Sequence, residues 1–223
     1  MLWGGLNDYK IYLFGQLGIE KDESKALFWF LKAAEQGDLD SQNNLAYMYL
    51  NGCGVEIDNE KAAFWCKKSA ELGDVNAQRN LGAMYKQGHG LKQSDKKAVF
   101  WFEKAAEQDD SEAQAYLGHC YYNGIGVEQD YAKAVYWYQK AAEQGNAGAE
   151  CNLGCRYEKG QGVTQDYEQA ISWYQQAIDG GYTEAQENLK KLQEKIAVNL
   201  TKSKVLFVPL LRDSATQSFE DMF

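Results

Sequence analysis

Cys151, Cys155 and His119 are the side chains of this 223-residue sequence whose types and spacing come nearest to chemistry. Two cysteines four residues apart share one face of a helix, one turn apart. Two thiolates and an imidazole are the ligands zinc prefers, and a cysteine beside a histidine is also a nucleophile–base pair. A structural zinc site takes four ligands, and no fourth stands out. His119 and Cys155 lie 36 residues apart at equivalent points of a repeated sequence. Helices related in that way sit about 8–10 Å apart or more, too far for a direct hydrogen bond. His89, inside Gly-His-Gly, reads as an exposed loop residue. Glu35, Glu71, Glu107 and Glu143 recur one unit apart, too distant to act as an acid/base pair. The Gly-x-Gly-Val stretches follow helices and lack the lysine and hydroxyl of a phosphate-binding loop. The residues therefore predict no catalytic group, no metal, no cofactor and no enzyme.

What must position these side chains is a brick used many times. "VFWFEKAAEQDDSEAQAYLGHCYYNGIGV" from Val99 returns as "VYWYQKAAEQGNAGAECNLGCRYEKGQGV" from Val135. Tryptophans fall at Trp29, Trp65, Trp101, Trp137 and Trp173, and leucines at Leu45, Leu81, Leu117, Leu153 and Leu189. Each unit reads as two helices. The first starts after a capping Asp38, Asp74, Asp110 or Asn146 and ends at a Gly-x-Gly such as Gly88 to Gly90. The second starts near Asp58, Ser94, Asp130 or Asp166 and ends at Gly37, Gly73, Gly145 or Gly181. Asp109 stands at one such exit, and aspartate tolerates the left-handed conformation better than most residues. Ala62, Ala98, Ala134 and Ala170 mark places where helices approach closely, with tryptophan and tyrosine filling the gaps. One helix pair cannot bury its apolar face alone, so the pairs must stack. The single proline is Pro209, so nothing before it interrupts a helix.

Charge and composition exclude several partners. The net charge is −9 and the pI about 4.8, which repels phosphate backbones and anionic membrane surfaces. The longest apolar run, Val205 to Leu211, is far too short to span a bilayer, and the N-terminus has neither a basic segment nor a long apolar one. Five cysteines out of phase with the repeat read as reduced thiols. The expected location is cytoplasmic if the chain is complete, or exported and bacterial if a leader was removed.

The frame "AQAYLGHCYYNGIGVEQDYAKAVYWYQKAAEQG", Ala113 to Gly145, resembles the Sel-one-like repeat family, relatives of tetratricopeptide repeats with a longer Gly-x-Gly-Val loop. The resemblance implies an all-α, right-handed α/α superhelix of about five 36-residue helix pairs. Units fall near 1–36, 37–72, 73–108, 109–144 and 145–180, followed by a capping helix over 181–200. The first unit is worn, with Gln16 in place of a loop glycine and Tyr9 in place of the leucine. The tail, 201–223, is either docked or disordered, and its aliphatic Val205 to Leu211 favours docking.

The resemblance also implies that the first helix of each unit lines a concave groove. Its variable positions then face in: Asn43, Tyr47 and Leu50; Arg79 and Lys86; His119 and Tyr122; Cys155 and Glu158. Such a mixture of aromatics, amides and both charges suits a polypeptide. The expected function is a scaffold or adaptor that binds a protein or peptide. The alternatives are a bacterial immunity protein whose acidity suits a basic toxin, and a β-lactamase-type hydrolase. The hydrolase subfamilies pair cysteines in every repeat, which this chain does not. A homo-oligomer through an uncovered end of the stack or through the tail is a further possibility.

Overall fold

The computed structural model describes residues 22–201. Among these are ten helices and no strand. The chain divides into two compact units, Met1–Gln144 and Gly145–Phe223. The first holds α1 (Glu23–Glu35), α2 (Leu39–Asn51), α3 (Asn59–Glu71), α4 (Val75–Gln87), α5 (Asp95–Ala106), α6 (Ser111–Asn123) and α7 (Tyr131–Ala142). The second holds α8 (Ala147–Lys159), α9 (Tyr167–Asp179) and α10, helical over 184–201. The worn half-repeat with Tyr9 and Gln16, and the tail with Val205 to Leu211, lie outside the described residues. No described helix is long and apolar enough to cross a membrane.

The caps form as their residue types dictate. Asp38, Asp74, Asp110 and Asn146 accept hydrogen bonds from the backbone N–H groups of Ser41, Ala77, Ala113 and Ala149 at 2.7–3.0 Å. Each bond satisfies a donor that has no partner within its own helix. Asp109 adopts φ 63°, the one non-glycine residue in the left-handed region among those described.

In the first unit the second glycine of each described Gly-x-Gly has two reasons to lack a side chain. Gly54, Gly90 and Gly126 have φ of 65–72°. A Cβ on any of them would also run into the backbone that opens the second helix of the preceding pair, at Glu23, Asn59 and Asp95 respectively. The loop is thus seated directly on its neighbour's helix start.

Inside each pair, size is matched against size. A Cβ on Gly82 would come within 2.8 Å of the Phe102 ring, and one on Gly118 within 2.6 Å of the Tyr138 ring. Gly154 faces Tyr174 in the same way at 2.8 Å. In the pair α2–α3 the equivalent positions hold Ala46 and Cys66, both buried. Of the tryptophan and tyrosine expected to fill such gaps, tyrosine does so at Tyr138 and Tyr174 and tryptophan does not. Phe102, Tyr138 and Tyr174, each following a tryptophan, fill them, while Trp29, Trp101, Trp137 and Trp173 are only half-buried and Trp65, followed by Cys66, is buried. A ring aimed straight at the facing glycine excludes a larger indole. The tryptophan lies at the shoulder, edge-on to the exposed ring before it: Phe28, Phe64, Phe100 or Tyr136, at 5.0–5.4 Å.

Buried glutamines link successive pairs of the first unit. Gln42, Gln78 and Gln114 each donate Nε2 to a carbonyl eight residues back, at Ala34, Ala70 and Ala106. Gln108 and Gln144 then donate to the Oε1 atoms of Gln78 and Gln114, both at 2.8 Å.

Candidate functional site

Cys66 is the one small residue among the described positions that are otherwise Phe30, Phe102, Tyr138 and Tyr174. Where a ring is missing, space remains. A cavity of about 230 Å³ opens between α2 and α4, with Cys66 in its lining. The predicted groove residues Asn43, Tyr47 and Leu50 line it together with Ala83 and Gln87. Sequence reasoning missed Asn80, Met84 and His89, which also line it. The sequence places His89 in an exposed loop. It is exposed, but on the rim of this recess.

The lining pairs an apolar floor of Leu50, Ala83 and Met84 with three carboxamides, Asn43, Asn80 and Gln87. Those amides have no hydrogen-bond partner among the described residues. Each offers both a donor and an acceptor, the complement of a peptide main chain. Tyr47, 60% exposed, stands beside them. A larger recess of about 400 Å³ lies behind the α6–α7 loop between Tyr121 and Lys133, and contains none of the groove residues.

Of the predicted charged hooks, Arg79 is committed elsewhere. Its Nη1 donates to Asp110 Oδ2 at 2.5 Å and its Nη2 to Asn76 Oδ1 at 3.1 Å. Asp110 is at the same time the cap of α6, so Arg79 ties α4 to α6. Lys86 lies over the Tyr116 ring at 4.6 Å, and that ring stacks on Phe102 at 4.9 Å. Partial burial, then the nearby Lys86 charge, holds the His119 imidazole below its ordinary pKa. It is therefore neutral at pH 7, able to donate from one nitrogen and accept at the other. Tyr122, half-buried, lies 5.5 Å from the Tyr131 ring. Lys86, Tyr116 and His119 form a polar–aromatic patch on α4 and α6.

In the second unit the predicted residues are covered rather than open. The Tyr174 hydroxyl reaches Cys155 Sγ at 3.1 Å and Glu158 Oε2 at 3.0 Å. From α10, Asn188 Nδ2 donates to Cys151 Sγ at 3.4 Å, and Lys195 Nζ pairs with Glu158 Oε1 at 3.2 Å. The capping helix thus occupies the face of α8 that sequence reasoning assigned to a ligand. A hydrogen bond from Cys151 and another from Tyr174 lower the Cys155 pKa, while Cys151, as the donor and itself buried, is raised. His119 belongs to the first unit and Cys155 to the second. No group of three or more metal-ligating side chains gathers among the described residues.

These helix pairs define an α-solenoid of the interaction-module class. The chain belongs to the Sel1 repeat family, which it matches over residues 4–38, 39–74, 75–110, 111–146 and 147–182. Its fold is five such repeats and a C-terminal helix. It is similar to c5321, a protective antigen of uropathogenic Escherichia coli strains with an SLR fold, at 34% identity and TM-score 0.80. That match covers 84% of this chain but only 40% of c5321. A Sel1 repeat protein from Oxalobacter formigenes is 35% identical, with TM-score 0.74, over 78% of this chain and 71% of that one. The immunity protein PA5088 of Pseudomonas aeruginosa shares the fold alone, at 23% identity and TM-score 0.51, over 83% of this chain and 68% of that one. No curated protein sequence matches the chain.

Proposed function

We propose that this chain is a protein-binding scaffold that holds an extended polypeptide across α2, α4 and α6. The recess between α2 and α4 carries the reading. Its apolar floor accepts one aliphatic side chain, while Asn43, Asn80 and Gln87 hold the main chain on either side. The Lys86–Tyr116–His119 patch takes the next residues along, and an acidic side chain suits Lys86. Anchors of this kind, an apolar side chain in a pocket ringed by polar groups, dominate the energy of peptide recognition.

The test uses the whole chain as bait for a displayed library of random peptides. Selected peptides are expected to share one aliphatic anchor and a nearby acid. Ala83→Leu, which fills the recess, and the pair Tyr47→Ala with Asn80→Ala should each lose them at unchanged helix content. Arg79 stays in place in these variants because its loss would disturb α6 itself. Peptides retained equally by wild type and variants would sink the proposal. The net charge of −9 also supports a second reading, an immunity protein that blocks a basic enzyme, which requires a folded partner rather than a short peptide.

A further inference from the structure

Val205 to Leu211 is the longest apolar run of the chain and holds its single proline. Seven apolar residues in succession are unfavourable in water and gain from any surface that covers them. Thr201, the last described residue of α10, stands four positions before the run. The first-helix surface of that unit is already taken, since Asn188 and Lys195 hold α10 on α8. Open first-helix surface lies instead in the first unit, in the recess between α2 and α4. Its amides Asn43, Asn80 and Gln87 have no hydrogen-bond partner among the described residues. Lys86, on the same helix as Asn80, lies over the Tyr116 ring and has no ion pair among them either.

We propose that this recess docks the segment Val205–Asp213 of a second copy, joining copies head to tail, a step that rests on the peptide-binding role proposed above. The segment carries what the recess asks for. Leu210 and Leu211 supply the aliphatic side chain for the floor of Leu50, Ala83 and Met84. A residue before proline favours extended backbone, and an extended main chain presents the donors and acceptors that three carboxamides complement. Asp213 follows Leu211 by two residues and is the acid for Lys86. Charge acts in the same direction over longer range. Lys202, Lys204 and Arg212 bracket the run against Asp213 alone, so this stretch is positive within a chain of net charge −9. It is drawn to the acidic body of another copy. Only 202–204 separate the run from α10, and the path from Thr201 to Val205 spans about 14 Å at most. The run therefore starts beside the face that α10 covers, and a second copy brings it to an open recess without that limit. Recess and run are different surfaces, so each copy gives one and receives one.

The experiment puts the photo-crosslinker p-benzoylphenylalanine in place of Phe207 in the intact chain. Copies grown on ordinary and on heavy nitrogen are mixed, irradiated and mapped by peptide mass spectrometry. Adducts are expected between a light and a heavy copy, on residues 43–50 of α2 or 80–87 of α4. Their yield should fall about tenfold or more in Ala83→Leu, which fills the recess. The pair Tyr47→Ala with Asn80→Ala, which opens the recess instead of filling it, should lower the yield as well, both variants at unchanged helix content. Leu210→Asp with Leu211→Asp should abolish the adducts. Sedimentation should show an average mass that rises with concentration in the wild type and not in that variant. Adducts within single copies only, adducts on other residues, a yield indifferent to both recess variants, or a mass independent of concentration would overturn the assignment. Library peptides that still bind the wild type and are lost in Ala83→Leu would then leave the peptide-binding role standing, while their absence would remove both.

Discussion

Replacing Leu72 with glutamine is expected to stabilise the first unit, although it removes an apolar side chain. Gln78 and Gln114 each satisfy both ends of their buried amides: Nε2 on a carbonyl, and Oε1 accepting at 2.8 Å from a glutamine thirty residues on. Gln42 makes the first bond, to Ala34 at 3.2 Å. The residue thirty on from it is Leu72, and Gln42 Oε1 has no partner among the described residues although the side chain is 2% exposed. A buried acceptor without a partner costs about 1–3 kcal/mol. Leu72 itself is 62% exposed, so little burial is lost on changing it. Its backbone, φ −86° and ψ 1°, matches that of Gln36 at −88° and 2°, where glutamine already fits the same position. The new amide would gain a bond worth about 0.5–1.5 kcal/mol, less the entropy of fixing a side chain on the surface. The net expectation is a gain of about 1 kcal/mol, read as a higher urea midpoint at unchanged slope. Leu72→Ala, which supplies no donor, should be near neutral. In a Gln42→Leu background the gain should vanish. An equal gain in both backgrounds, or none in the wild type, would refute the argument that the orphan oxygen is what matters.

Two further outcomes follow from packing and burial. Gly118→Ala sets a Cβ 2.6 Å from the Tyr138 ring, which is 1% exposed and has nowhere to turn. It should destabilise by about 1–3 kcal/mol, yet in a Tyr138→Cys background, which copies the Ala46 and Cys66 pair, the same change should stabilise through helix propensity. Urea unfolding of the four proteins reads the reversal, and one sign in both backgrounds would count against it. Burial, with Asp74 adding to it, pushes the Cys66 thiol up to about 12, and its S–H donates to the Ala77 carbonyl at 3.3 Å. The folded state holds that proton after the unfolded chain has released it. Stability is then full below about pH 8.5 and falls as pH rises toward the folded value, by up to about 1.4 kcal/mol per unit for this thiol. Cys66→Ala should flatten the decline between pH 8 and 10, and an unchanged slope would contradict the assignment.

Local chemistry was legible in the sequence because it is local. A cap needs one oxygen near its own helix, and a left-handed exit needs a glycine or an aspartate such as Asp109, so the frame of every repeat could be read along the chain. What escaped depended on residues far apart. The recess exists because Cys66 is small, and its meaning appears only when Asn43 and Asn80, on different helices, are brought beside it. Arg79 looked available because its partner, Asp110, lies 31 residues away in the next repeat. Cys155 and Glu158 looked open because the repeat pattern contains neither Asn188 nor Lys195, which reach them from the terminal helix. Asn43, Tyr47 and Leu50 line the recess on the first helices, but a pattern of variable positions does not distinguish a vacant side chain from an engaged one.

The loop glycines impose a rule on how such a chain can grow. Gly54, Gly90 and Gly126 each rest on a residue 31 positions earlier, namely Glu23, Asn59 and Asp95. Duplicating one whole repeat copies both members of a contact and preserves every seating. Inserting a few residues between the two members separates them and leaves a loop with nothing to rest on. Within the first unit, duplication of a complete repeat is therefore the change of length that leaves every one of these contacts intact.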